Sequence, residues 1–210
     1  MDEAARARLE RLESQVRAHC DARDWDAACT AILRGYGPEV FGFLVAVHRN
    51  EAAANDAFSD LAEAIWRSLP NFAWQSSVRT WTYAIARNVS RTRKRDAARL
   101  DRRAPRAGDS ALEGVAAKVR TETLAILRTE TKTRLQALRD ALPEADRMLL
   151  VLRIDRGLSW NDLARVLHEG EEDAQLDDAA LTREAARLRK RFQLVKDKLR
   201  EMAKKEGLLD

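Results

Sequence analysis

The chain has 210 residues, of which 34% are charged and only 6% aromatic, and its formal net charge is +4. Eight glycines and four prolines are too few for a turn-rich all-β protein, and no apolar run approaches the roughly 18–20 residues of a membrane span. One or two small helical domains with wet surfaces fit these bounds. No Gly-rich phosphate loop, metal-spaced cluster or nucleophile–base pair places an enzyme reaction. Cys20 and Cys29, even with His19, lack a metal-ligand pattern and read as reduced helix residues. The charged N-terminus lacks the apolar stretch of a signal peptide, so a cytoplasmic protein without cofactor or metal is expected.

Residues 1–22 read as a charged helical extension with Leu9, Leu12 and Val16 along one side. A first domain is expected over 23–99. Trp25, Ala28, Ile32 and Leu33 recur at helical spacing. Gly35, Tyr36, Gly37 and Pro38 then predict a break, with Pro38 in the first turn of a second helix. That helix carries Val40, Phe41, Leu44, Val45 and Val47, a stripe wide enough to be mostly buried. The next spans about 51–68, with Ala54, Phe58, Leu61, Ile65 and Trp66 apolar and Asp56, Ser59, Asp60 and Glu63 on the other face. Pro70 ends it, because proline disfavours a helical residue before it. A loop at 72–77 holds Phe72 and Trp74, and a helix from about 78 becomes steadily more basic.

Residues 100–120 combine Pro105, Gly108, Gly114 and Asp109-Ser110 with no strong apolar stripe, and read as a linker. A second domain is expected over 121–210. It opens with a helix over about 121–142, whose Leu124, Leu127, Thr131, Leu135, Leu138 and Leu142 lie near heptad spacing. Pro143 starts the next helix, and Glu144 and Asp146 sit in the first turn, where the helix dipole favours acids. Gly157 suits a turn, Ser159 is a candidate N-cap with Asp162 three residues on, and Leu163, Ala164 and Leu167 face inward. An acidic insertion follows near 169–180; residues 169–178 hold six acids and no base, so this segment should point away from any polyanion or move on binding. The last helix runs over about 181–205, with Leu181, Ala185, Leu188, Phe192, Val195, Leu199 and Met202 as one seam.

Charge is concentrated. Residues 87–106 hold nine basic residues against two acidic, and residues 183–200 hold eight against two. Two separated basic stretches fit two contacts with a polyanion, nucleic acid foremost; the alternative for either is an ordinary charged helix surface. In the first stretch the cations follow Phe72, Trp74 and Trp81. Rings that stack on unpaired bases contribute about 1–3 kcal/mol per base, and cations hold the phosphates. Trp81 and Tyr83 also read as core rings that fix the loop, and for Trp81 the core is the favoured place.

The run Arg79, Thr80, Trp81, Tyr83, Ile85, Ala86, Arg87, Asn88, inside the ungapped segment 69–88, resembles the promoter-melting part of bacterial group IV (extracytoplasmic-function) sigma factors of the sigma-70 family. YGPEVFGFL at 36–44 is similar to the first helix of that family, and LPEADRMLLVLRIDRGLSWNDLARVL at 142–167 to the start of its second domain. The resemblance covers about 24–96 and 132–205. It implies an all-α protein of two small domains, a sigma region 2-like bundle and a sigma region 4-like helix-turn-helix, joined by a linker. Such a protein binds core RNA polymerase, recognises −10 and −35 promoter elements, assists melting and catalyses no bond chemistry itself. A stand-alone helix-turn-helix regulator, binding duplex DNA without polymerase, is the alternative.

The resemblance also implies site residues. The loop 72–77, with Phe72, Trp74, Gln75, Ser76 and Ser77, would take a base flipped from the non-template strand, offsetting an unstacking cost of a few kcal/mol. Asn88 would pair with a base edge, Arg87, Arg91, Arg93 and Arg95 would hold phosphate, and Arg79 and Thr92 belong to the same −10 contact set. The helix at 51–68 would bind the coiled coil of the large polymerase subunit through Asp56, Ser59, Asp60 and Glu63. There Asp56 matches the family pattern, but Ser59 stands where glutamine is expected and Asp60 where glutamate is. Aligning LRKRF at 188–192 with the second helix of the helix-turn-helix puts Arg183, Arg187, Arg189, Lys190, Arg191 and Gln193 toward the −35 major groove. The implied partners are core RNA polymerase and promoter DNA, both duplex and melted non-template strand, with no membrane insertion. An anti-sigma factor is left open.

Overall fold

The structure, a computed structural model, describes residues 3–98, 110–129, 134–168 and 176–209. Its helices are α1 (Glu3–Asp21), α2 (Trp25–His48), α3 (Glu51–Ser68), α4 (Val78–Ala98), α5 (Ser110–Thr129), α6 (Arg134–Asp140), α7 (Glu144–Leu150), α8 (Trp160–Leu167) and α9 (Asp178–Lys205). No strand occurs among the described residues, and the all-α expectation holds. Helix starts follow local capping chemistry. The Asp24 carboxylate accepts from Ala27 N–H at 3.1 Å, Asn50 from Ala53 N–H at 3.0 Å, and Asp177 from Ala180 N–H at 2.6 Å.

The chain divides into two units, Met1–Leu127 and Arg128–Asp210. In the first unit, α2 packs against α1, α3 and α4. Phe41 meets Phe58 edge-on with ring centroids 5.2 Å apart, and Phe43 meets Tyr83 likewise at 5.6 Å. The predicted break at Pro38 is absent: α2 runs straight through it. Proline inside a helix costs about 3 kcal/mol through its missing N–H and its clash with the preceding turn. Both halves of α2 are in the core, with Ile32, Leu33, Tyr36, Val40, Phe41 and Leu44 at most 1% exposed. Each such side chain is worth roughly 1.5–3 kcal/mol in burial, so holding both halves in one rod outweighs the proline. Trp66, expected in the apolar stripe of α3, is instead 43% exposed and donates its indole N–H to Asp26 at 2.9 Å.

Within the expected linker, residues 100–109 lie outside the described residues, and 110–120 are helical, forming the first half of α5. Leu112, Ala116, Val119 and Thr123 of α5 are buried, a stripe at spacings of four, three and four. Gly114 on the exposed side costs about 0.5–1 kcal/mol relative to alanine, too little to stop the helix. Of the helix expected over 121–142, residues 121–129 belong to α5, begun at Ser110, and 134–140 to α6; residues 130–133 lie outside the described residues.

In the second unit α7 passes into one π-helical turn, Val151–Asp155. Gly157 then turns the chain at φ +66°, a conformation that favours glycine. Ser159 caps α8, its hydroxyl accepting from Asp162 N–H at 3.1 Å as the sequence predicts. Leu149, Leu152, Leu163 and Ala164 form the core with Leu181, Ala185, Leu188 and Val195 of α9. Trp160 meets Phe192 edge-on at 5.6 Å. Of the acidic insertion, residues 169–175 lie outside the described residues, and Asp177 and Asp178 are absorbed into the start of α9.

Candidate nucleic-acid interface

The loop 72–77 is built around stacked rings. Phe72 lies against Trp81 at 4.6 Å between centroids and 28° between planes, and against Trp74 at 4.8 Å and 45°. Trp81, at the start of α4, is half-buried and fixes Phe72 rather than filling the deep core. Trp74 has φ +56°, a left-handed conformation rarely adopted by a large side chain. The Arg17 guanidinium of α1 sits over its ring, 4.8 Å from the centroid. Gln75 is exposed and Ser76 half-buried. The Ser77 hydroxyl accepts from Thr80 N–H at 3.0 Å and donates to the Thr80 hydroxyl at 2.9 Å, so Ser77 closes the loop as the cap of α4.

Residues that the sequence did not single out hold this loop. Glu13 of α1 accepts from Val78 N–H at 2.8 Å and Arg79 N–H at 3.1 Å, two amides that the first turn of α4 leaves without helical partners. The same carboxylate accepts from the Tyr36 hydroxyl at 2.7 Å. Burial first, and then that hydrogen bond and the Glu13 charge, push the Tyr36 phenol well above its ordinary range. Glu13 and Arg17 are one helical turn apart, and a charged pair at i, i+4 was the only signal in the sequence; their partners lie far along the chain.

Along α4 the predicted cations separate. Arg79 is turned inward: it grips Glu39 through two bonds of 2.7 and 2.8 Å and lies over Tyr83. Burial alone would lower its pKa, but the Glu39 hydrogen bonds and charge turn the net shift upward, so this cation is committed to the fold. Arg87 is buried at 8% exposure. Asn88 and Thr92 are half-buried, while Arg91 and Arg95 are exposed. Arg93 reaches back to α3, donating to Asp60 at 2.6 Å and Asp56 at 3.3 Å.

On α3, Asp56 is exposed, and Ser59, Asp60 and Glu63 are half-buried. Glu63 pairs with Arg67 at 3.6 Å. Ser59 accepts from Arg120 of α5 at 2.8 Å, another partner missed in the sequence.

In the second unit Arg183, Arg187, Arg189, Lys190 and Gln193 are exposed along α9. Arg187 pairs with Glu184 within its own helix, and Gln193 donates to Asp197 at 3.3 Å. Arg189 and Arg153 approach the Trp160 ring at 5.6 and 4.7 Å. Arg191 differs from its neighbours: its guanidinium donates to Asp146 of α7 at 2.7 Å and ties α9 to the core.

The geometry offers two basic surfaces, one of them beside an aromatic loop, and an acidic α3 face. The family described as Sigma-70 region 2 matches residues 32–100. The RNA polymerase sigma-H factor of Pseudomonas aeruginosa is 30% identical over 143 residues, covering 63% of this chain and 70% of that protein.

Proposed function

The chain belongs to the sigma-70 family of RNA polymerase sigma factors, and on that premise we propose how its two units serve promoter recognition and initiation. As a sigma factor it recognises promoters in transcription initiation, binding core RNA polymerase and promoter DNA. No helix among the described residues is long and apolar enough to cross a membrane.

The finer reading places the chain among the group IV members, on the strength of the run from Arg79 to Asn88. The first unit takes the −10 element. A base unstacked from the non-template strand enters at Phe72 and Trp74, Asn88 reads an edge, and Arg91, Thr92 and Arg95 hold the backbone. Arg79 and Arg87 support α4 from inside rather than touching DNA. The second unit takes the −35 element through Arg183, Arg187, Arg189, Lys190 and Gln193 of α9. The α3 face with Asp56, Ser59, Asp60 and Glu63 meets core polymerase. Bond formation belongs to the polymerase.

The observation that carries this reading is the stack of Phe72, Trp74 and Trp81 at the head of a basic helix. A pure duplex reader has little use for it. Run-off transcription with core polymerase, with and without the chain, on a library of promoter fragments tests the reading. Specific starts that need the chain are expected. Duplex binding without core binding would move the assignment to a stand-alone regulator.

A further inference from the structure

Part of the α3 surface assigned above to polymerase is engaged by the chain's own arginines, while Asp56 and Asp60 keep 63% and 46% of their side chains exposed. Arg120 of α5 donates from Nη1 to Ser59 Oγ at 2.8 Å and from Nη2 to Glu113 at 2.6 Å, so its guanidinium is held on two sides. Its side chain is only 16% exposed. Arg93 of α4 holds Asp60 and Asp56. Three of the four residues on that face therefore meet arginines of α4 and α5, and the fourth, Glu63, pairs with Arg67 of α3 itself. The departure at Ser59 fits this arrangement: a short hydroxyl leaves room for the guanidinium, where the longer glutamine of the family pattern would reach into the same space.

The seat of α5 is incomplete. A solvent-open groove of about 280 Å³ remains between α3 and α5, lined by Asn55, Asp56 and Ser59 on one side and Ala117, Arg120, Thr121 and Leu124 on the other. Asn55 Oδ1, beside that groove, and Thr123 Oγ1 of α5 are buried without a hydrogen-bond partner. A buried acceptor without a donor is costly. Ala116 and Val119 nonetheless pack inward, and a Cβ built on Gly37 of α2 lies 3.0 Å from a Val119 methyl. The helix is docked, yet with faults that lifting it would relieve.

We propose that α5 is a strap laid over the polymerase-facing side of α3, and that core polymerase binds only after displacing it. This rests on the reading of α3 as the polymerase face. The incoming surface replaces Arg120 and Arg93 with its own donors and cations. A strap closed nine-tenths of the time weakens apparent binding about tenfold.

The test uses the full chain and a core-polymerase titration followed by fluorescence anisotropy. Gly37→Cys with Val119→Cys sets a thiol at 119 facing position 37, because the Val119 methyl carbons lie 3.0 and 3.6 Å from a Cβ at 37; a disulfide, verified by loss of free thiol, then pins α5 to α2. The unsubstituted chain, with Cys20 and Cys29, passes through the same oxidation as control. The oxidised double variant should bind core at least tenfold more weakly than the same protein after reduction. Arg120→Ala, which unlatches the strap, should bind several-fold more tightly than the native chain. Equal affinity of the oxidised and reduced forms overturns the strap while leaving polymerase binding intact. No binding by the native, reduced and Arg120→Ala chains overturns the polymerase reading, and the strap with it.

Discussion

Glu13 joins three parts of the first unit at a single carboxylate, accepting from Val78 N–H, Arg79 N–H and the Tyr36 hydroxyl. Glu13→Ala leaves all three donors without it, at roughly 1–3 kcal/mol for each that water does not reach. A loss of about 2–4 kcal/mol in thermal denaturation is expected, with Glu13→Gln recovering part of it through its remaining carbonyl oxygen. Trp74 behaves oppositely. Its φ of +56° is strained for a bulky residue, a cost on the order of 1–3 kcal/mol. Trp74→Gly should therefore leave stability near native while lowering promoter opening at least about fivefold, the lower end of a lost base stack. Permanganate reactivity of unpaired thymines reads the opening; a Tm drop matching the loss would instead make Trp74 a structural ring. Cys29 gives a pH signature. Burial, and then the Asp26 charge, push its thiol from 9.0 up to about 12. The folded pKa lies above the unfolded one, so this contribution is complete below pH 9 and is lost as pH rises toward 12. The denaturation midpoint should fall through that window. Cys29→Ala should flatten the fall without abolishing it, because Tyr36 acts in the same sense.

At the scale of elements, α9 has two jobs on adjacent residues. Lys190 faces solvent, whereas Arg191 is bonded to Asp146. Lys190→Ala should weaken −35 binding with the Tm unchanged, and Arg191→Ala should lower the Tm by loosening α7 from α9. Circular dichroism melts and a −35 fragment titration separate them; the reverse pattern would exchange their roles. The seam of α9 was readable because its apolar residues are large and regularly spaced, and α3 was readable because a stripe sits between Asn50 and Pro70. Pro38 misled because its penalty is local while the burial that outweighs it comes from other helices. The stripe of α5 escaped notice because alanine and threonine fill half of it, beside Gly114 and Pro105. The aromatic loop showed itself as one contiguous motif. Its supports did not: Glu13 bonds α4 across 65 and 66 positions, and Arg120 bonds Ser59 across 61. Hydrogen bonds over such separations leave no periodic trace.

For the whole molecule, two basic surfaces in separate units should act on DNA as additive electrostatic contacts. Each cation that neutralises a phosphate releases counterions, contributing about 0.9 to the slope of log K against log salt on duplex DNA and about 0.7 on a single strand. Arg95 on α4 and Lys190 on α9 are both exposed and belong to different units. Sites that share no partner add, whereas sites in one network do not. With polymerase holoenzyme on a duplex promoter, Lys190→Ala should lower the slope by about 0.9, Arg95→Ala by about 0.7–0.9, and the double substitution by their sum. Loss of slope in one single variant only would assign DNA contact to that unit alone. A double variant no worse than either single one would mean that the two units do not hold the promoter at the same time, against a protein that reads two elements at once.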